Sequence, residues 1–398
     1  MKTSARSCLA ASLAVLLGAA VAPAQAAKPK AGVDIDPDTG ITIRLADGRK
    51  APKLVLDGRV HADYGQYADD ANVLNDGFLL RRARPALALD WGDWKLKGEY
   101  EFSTRSKGVK QAWLDYSGFK RTSLRLGNQP VSFGFENTGS SNDNPFMERS
   151  AAVSALAPSL MLGLTLRKWD DRWNMTMGVF GNDISDDEQR GLDGRGVVVR
   201  LVGQPYKARR TRLHLGVSAE IRDAETAGTL RYRTRPESNI DGRRLVDTGI
   251  IGSVDGLVTM AVEGAWQRGP VLVSGEYLSS QVKRANGLDL DFSGWEVTGS
   301  WFVTGERRKY SEAMGAFDGV NPKRKWGAIE LKARVSEVDL NDGVFIGGRQ
   351  RAEAFGMNWW YTAKIRLLTE YVRIHAEPSV LAPVQDPTVI QSRLQVSF

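Results

Sequence analysis

Apolar and polar side chains alternate with a period of two over most of the stretch from Lys53 to Phe398. That is the pattern of a β-strand whose two faces meet different surroundings. It is clearest around Trp91-Gly-Asp93. After this tight turn Trp94, Leu96, Gly98, Tyr100 and Phe102 share one parity, and Lys95, Lys97, Glu99 and Glu101 share the other. Before it, Leu79, Ala83, Pro85, Leu87 and Leu89 alternate with Leu80, Arg82, Arg84, Ala86 and Ala88, so the unit reads as a hairpin. A sheet with one wholly apolar face and one charged face, in strands of roughly ten residues, either forms a sandwich or turns its apolar face to lipid.

The same alternation returns from Lys53–Tyr64 through Thr211–Arg222 to Thr388–Phe398. It predicts about sixteen strands, an even number, as a closed bacterial barrel requires. Connector lengths fall into two classes. Short turns such as Asp170–Arg172 and Arg268-Gly-Pro270 alternate with long segments such as Phe133–Leu160, Asn182–Arg195 and Asp223–Gly256, which places the short turns on the periplasmic side. Val303–Trp326 breaks this rule, being long although it falls among the short turns; its length predicts that it folds back into the barrel. Residues 27–52 read as a polar periplasmic segment, with a short strand over Ile41–Leu45 and 53–398 forming the barrel. The aspartates at 34, 36 and 38 are spaced like a calcium loop, but Thr39 and Leu45 stand where such a loop needs glycine and glutamate, so a solvated turn is the expectation.

Composition narrows the class. No apolar run after the N-terminus reaches the ~18 residues of a spanning helix. Residues 1–26 have the form of a cleaved signal peptide: Lys2 and Arg6, an apolar core over Leu9–Val21, and Ala24-Gln25-Ala26. The one cysteine, Cys8, lies in that leader, so a disulfide scaffold and a cysteine metal site are excluded from the mature chain. The formal charge of +7 falls to +5 once Lys2 and Arg6 are removed. The final strand ends on Phe398 after alternating Ile390, Ser392, Leu394 and Val396, as an outer-membrane barrel would.

If the apolar parity faces lipid, the other lines an aqueous bore. Basic residues on it, among them Arg59, Arg82, Arg84, Lys97, Arg125, Arg167, Lys332, Arg334, Arg366 and Arg393, outnumber the acidic ones. A low-dielectric bore focuses that excess and favours anions. Arg231-Tyr-Arg233-Thr-Arg235 adds three guanidinium groups in an extended row, repeating about every 6–7 Å. Guanidinium groups pair with phosphate oxygens. The bland alternative for this row is a solvated basic loop against acidic lipopolysaccharide.

Phe78-Leu-Leu-Arg-Arg-Ala-Arg84, Leu124-Arg-Leu-Gly127, Phe146-Met-Glu-Arg-Ser150, Arg231-Tyr-Arg-Thr-Arg-Pro-Glu237 and Trp301-Phe-Val-Thr-Gly-Glu306 resemble signature segments of the phosphate-selective porin O and P family, in order along nearly the whole mature chain. The resemblance implies a homotrimeric, sixteen-stranded transmembrane antiparallel β-barrel in the Gram-negative outer membrane. It also implies inward loops and an arginine ladder passing phosphate or polyphosphate, with no cofactor, metal or nucleic acid. On matching positions Arg59, Arg81, Arg82, Arg231, Arg233 and Arg235 form the ladder, while Ser140, Ser141 and Arg149 line the constriction, beside the interior cations Arg125 and Lys97. Arg81 shares parity with Leu79 and Leu87, which predicts either a subunit contact or a bulge. The stretch Gly139–Arg149 holds no lysine, which keeps a general anion porin open as an alternative, as is a non-conducting structural barrel. An enzyme is disfavoured: there is no G-x-S-x-G or H-E-x-x-H, and His214 and Ser218 lie four residues apart on one strand.

Overall fold

A computed structural model of the chain describes residues 30–36, 40–48, 50–68, 73–184, 191–381 and 383–398, apart from the side chains of 226 and 227. The leader at 1–26 and the middle of the aspartate-rich turn lie outside these residues. β1 (Gly32–Asp36) and β2 (Gly40–Arg44) form a hairpin, and β2 continues the sheet from β3 (Lys53–Ala68). The chain then runs through β4 (Gly77–Trp91), β5 (Trp94–Glu101), β6 (Gly108–Tyr116) and β7 (Thr122–Pro130). Two short helices follow, α1 (Phe135–Thr138) and α2 (Ala151–Leu156). Next come β8 (Leu160–Trp169), β9 (Trp173–Phe180), β10 (Gly194–Lys207) and β11 (Thr211–Leu230). A small ribbon of β12 (Arg233–Thr234) and β13 (Val246–Asp247) precedes β14 (Ile251–Arg268), β15 (Val271–Arg284) and β16 (Leu290–Phe302). A second ribbon, β17 (Tyr310–Ser311) and β18 (Ala316–Phe317), leads to β19 (Ala328–Asp342), β20 (Phe345–Trp360), β21 (Ile365–Ala376) and β22 (Thr388–Ser397).

The main sheet has 18 strands; setting aside β1 and β2 leaves sixteen, antiparallel and joined in sequence. β22 pairs with β3, Val396 opposite Val60, and closes the ring. Closure satisfies every edge, which a membrane demands because lipid offers no hydrogen-bond partner. The apolar parity is the exposed one, as Leu96, Val217, Val262 and Leu394 show, whereas the polar parity is buried, as Glu99, Ser218, Glu263 and Arg393 show. Trp94, Trp173, Trp266, Trp301 and Trp359 are exposed at the same end of the barrel, beside short turns except for Trp301, which precedes the long connector after β16, and form an aromatic girdle at one membrane boundary.

Each predicted strand is present, but the register departs from strict alternation in β4. Opposite it His61 pairs with Arg82 and Ala62 with Leu80, leaving Arg81 as the extra residue of a β-bulge. The bulge reverses parity beyond it. Leu80, expected on the face of Arg82, is half exposed beside Phe78 on the outer surface. Several strands also outrun their expected lengths. β11 continues to Leu230 and β14 starts at Ile251, so the loop between them is 231–250, and β19 and β20 extend to a two-residue turn at 343–344. At those ends Arg349, Arg351 and Glu353 occupy outward positions. Past the lipid both faces are polar, and the period-two signal fades. The region 27–52 likewise contains more than the short strand expected there, because Gly32–Asp36 pairs with it.

Val217 lies between Leu201 and Val262 on the exposed apolar face. Val217→Arg is expected to lower stability by about 2–4 kcal/mol near the bilayer centre, measured by urea titration of the protein folded into lipid vesicles.

Candidate functional site

The segment between β7 and β8 is held against the buried polar parity of the barrel through its own backbone. Gln395 Nε2 donates to the Asn142 carbonyl at 2.9 Å, Arg308 to Asp143 at 2.5 Å and Arg366 to Asn144 at 2.9 Å. Lys332 and Asn358 both reach the Pro145 carbonyl at 2.9 Å. Arg393 donates to the carbonyl of Met147, and Arg334 to that of Glu148 at 3.1 Å. Between them the Phe146 ring sits 4.7 Å from Lys332 Nζ and 4.3 Å from the Arg334 guanidinium. Lys332, Arg334, Arg366 and Arg393, expected simply to line a bore, are therefore spent on this clamp.

Carboxylates complete the attachment. Glu276 accepts from the backbone N–H groups of Phe135 and Glu136, each at 2.9 Å, and Glu237 accepts from that of Ala151 at 2.9 Å, at the first turn of α2. Ser150 caps α2 by accepting from Val153 N. Val303–Trp326 is fixed similarly: His214 bonds Tyr310 Oη at 2.9 Å and Glu263 at 2.7 Å, while Arg200 donates to the Met314 and Gly315 carbonyls. Ser218 Oγ accepts from Gly134 N, so His214 and Ser218 serve separate anchors and form no nucleophile–base pair.

A cavity of about 710 Å³ is bordered by β3–β8, by the 131–159 segment, by residues 233–244 and by Met314, Ala316 and Asp318. Twelve cationic side chains border it, against four carboxylates. Of the residues expected from sequence, Arg59, Arg81, Arg82, Arg125, Ser140, Ser141, Arg149, Arg233 and Arg235 are brought together here. Arg231 and Lys97 are not. Arg231 forms a bidentate pair with Asp247 at 2.7 and 2.6 Å, and Lys97 lies 3.5 Å from Asp57. The row of three guanidinium groups is thus a row of two, because the β12–β13 ribbon sets Arg231 beside an aspartate.

Two guanidinium groups converge on one hydroxyl: Arg82 donates to Ser141 Oγ at 2.6 Å and Arg59 at 3.3 Å. Arg59 also pairs with Glu99, and Arg84 with Glu99 and Glu101. Arg81, at the bulge, makes a bidentate pair with Glu148 at 2.7 and 2.8 Å. Arg149 holds the carbonyls of Glu136 and Asn137, and Arg125 lies 3.0 Å from Asp115 and over the Trp113 ring. The Nε atoms of Arg82, Arg167 and Arg233 are buried without a hydrogen-bond partner. Such orphaned donors in a cationic cavity suit an incoming anion. Sequence reasoning had placed Arg84 and Arg167 on the interior parity; Arg105, Lys110 and Arg244 were missed. Arg105 and Arg244 lie in connectors, where no periodicity assigns a direction. Burial and the adjacent Arg235 and Arg233 pull the Arg244 guanidinium down to about 10, still charged at neutral pH.

A family model described as phosphate-selective porin O and P matches residues 55–398. The chain is 25% identical over 390 residues to Porin O of Pseudomonas aeruginosa, covering 86% of this chain and 87% of that protein. It is similar in fold to OmpT of Vibrio cholerae in its trimer form (TM-score 0.56, 12% identity, 87% of this chain and 100% of the other). It is also similar to an anion-selective porin from Comamonas acidovorans (TM-score 0.53, 15% identity, 87% and 100%).

Burial works to raise the Glu148 carboxyl, but Arg81 and Arg393 outweigh it and hold the group below the usual carboxylate range. Its stabilisation is therefore complete above the ordinary glutamate range and is lost only as pH falls far below it. Glu148→Gln leaves the buried Arg81 guanidinium without its carboxylate, while Arg393 keeps its pair with Asp63 at 2.7 Å, and is expected to cost about 3–5 kcal/mol, read as a lower temperature for the shift from folded to unfolded mobility on electrophoresis.

Proposed function

Because the chain belongs to the phosphate-selective porin O and P family and is a barrel of the Gram-negative outer membrane, we propose that this outer-membrane porin is selective for anions and passes inorganic phosphate or polyphosphate. The observation that carries this reading is the cavity with its excess of eight positive charges, bordered by three guanidinium groups with orphaned Nε donors. A low-dielectric wall concentrates that field and excludes cations. Guanidinium forks, unlike isolated ammonium groups, match the oxygens of a tetrahedral oxyanion in pairs.

In this reading the 131–159 segment narrows the channel. Ser141, Arg59 and Arg82 mark the tightest part of the path. The Ser141 hydroxyl occupies the place between two guanidinium groups that an oxyanion oxygen takes on entry. Arg233, Arg235 and Arg244 gather anions at the end bordered by the 231–250 loop, and the crowding of like charges there keeps each site weak enough to release its anion to the next. A homotrimer is part of the proposal, supported by the family and by the trimer form of the V. cholerae protein. So is contact of the apolar band with lipid and of the outer loops with lipopolysaccharide. A general anion porin is the second reading, favoured by the absence of lysine from Gly139–Arg149.

In a planar bilayer with a potassium chloride gradient, the mature protein is expected to reverse on the anion side, with chloride current blocked by low phosphate. Arg82→Ala is expected to weaken that block about tenfold, the equivalent of one charge-assisted hydrogen bond. Anion preference without block would leave the general anion porin; absence of channels would leave the structural barrel.

A further inference from the structure

Of the four carboxylates bordering the cavity, three are neutralised. Glu99 pairs with Arg59, Glu148 with Arg81, and Glu237 with Arg334. Asp318 has neither an ion pair nor a side-chain hydrogen bond among the described residues. Its position is fixed rather than loose. Asp318 N donates to the Lys309 carbonyl at 3.0 Å, next to Phe317, whose ring meets Tyr310 edge-on at 4.9 Å. The following residue touches the 131–159 segment: a Cβ on Gly319 would lie 2.4 Å from Asp143 Oδ1. The Asp143 carboxylate, from a different connector, therefore packs against the backbone next to Asp318, which itself borders the cationic cavity.

An unpaired carboxylate repels every anion by Coulomb's law, so its presence on an anion path calls for a compensating interaction. Hydrogen phosphate can supply one, since it carries an O–H that a carboxylate accepts. Sulfate at neutral pH has only acceptors and meets Asp318 lone pair to lone pair. We propose that Asp318 is a specificity-determining residue that favours oxyanions bearing an acidic hydrogen over fully deprotonated ones, accepting that hydrogen while the cavity's guanidinium groups hold the remaining oxygens. The inference rests on the anion reading above.

The groups facing Asp318 are Asp143 from the 131–159 segment and Lys309 and Glu312 from its own connector. Burial, and then Asp143, push its carboxyl up to about 6. It is thus an acceptor at neutral pH and becomes a neutral donor in mild acid. Sulfate stays a dianion across that range, so it reports on the protein alone.

The test measures block of chloride current by inorganic phosphate and by sulfate in the wild-type mature protein and in Asp318→Asn. The wild type is expected to prefer phosphate. Asp318→Asn, which can donate to sulfate, is expected to shrink the phosphate-to-sulfate ratio by about tenfold. Sulfate block of the wild type is expected to strengthen severalfold from about pH 7.5 to about pH 5, and to be flat over that range in the variant. A wild type with no anion preference overturns the anion reading itself. An anion-selective wild type whose phosphate-to-sulfate ratio is unchanged in Asp318→Asn, or whose sulfate block does not respond to acid, overturns the inference alone.

Discussion

Backbone carbonyls taken out of water need donors, and the 142–148 stretch turns six of them, in two buried and four part-buried hydrogen bonds, to the barrel wall. The wall answers with cations from β19, β21 and β22, with side-chain amides from β20 and β22, and with Arg308 from the connector after β16. Each partner solves the other's problem: a buried guanidinium is costly without acceptors, and a buried carbonyl row is costly without donors. The result is an irregular segment fixed to one side of the ring, leaving the β3–β8 side as the open, cationic side. Position of the cavity, exposure of Ser141 to Arg59 and Arg82, and the meeting of Asp143 with Gly319 all follow from that attachment.

The clamp also divides the interior charges into two populations. Lys332, Arg334, Arg366 and Arg393 are less than a twentieth exposed and tied to carbonyls or carboxylates, so they contribute rigidity. Arg82, Arg167, Arg233 and Arg244 border the cavity with no ion-pair partner among the described residues, so they contribute field. Counting basic residues on one parity cannot separate these populations. What separates them is whether a connector is docked on that part of the wall.

Carboxylates sort in the same manner. Glu276, Glu237 and Glu136 are fastened to backbone N–H groups at the ends of the two short helices. There they offset the amides that a helix start leaves unpaired. Glu99 and Glu148 each bridge two arginines, reducing repulsion among guanidinium groups that would otherwise crowd one cavity.

The period-two alternation by itself determined the barrel: its strand number, its outer face, its closure at the C-terminal strand and the division of connectors into short and long. The reason is that lipid on one side and water or polar side chains on the other act on every residue of a spanning strand, so the environment is written into local sequence. It also put Arg59, Arg82, Arg84, Arg125 and Arg167 on the correct face. Only the tertiary structure decided the rest. The bulge at Arg81 is fixed by pairing with β3; β4 alone left it open against a subunit contact. Arg231 is neutralised by Asp247, sixteen residues on, and Lys332, paired with Glu370, also donates to a connector nearly two hundred residues earlier in the chain. Arg105, Arg244 and Asp318 lie in segments without periodicity, where direction is set by what the chain docks against. A strand's faces are a local property; the partner of a buried charge is not.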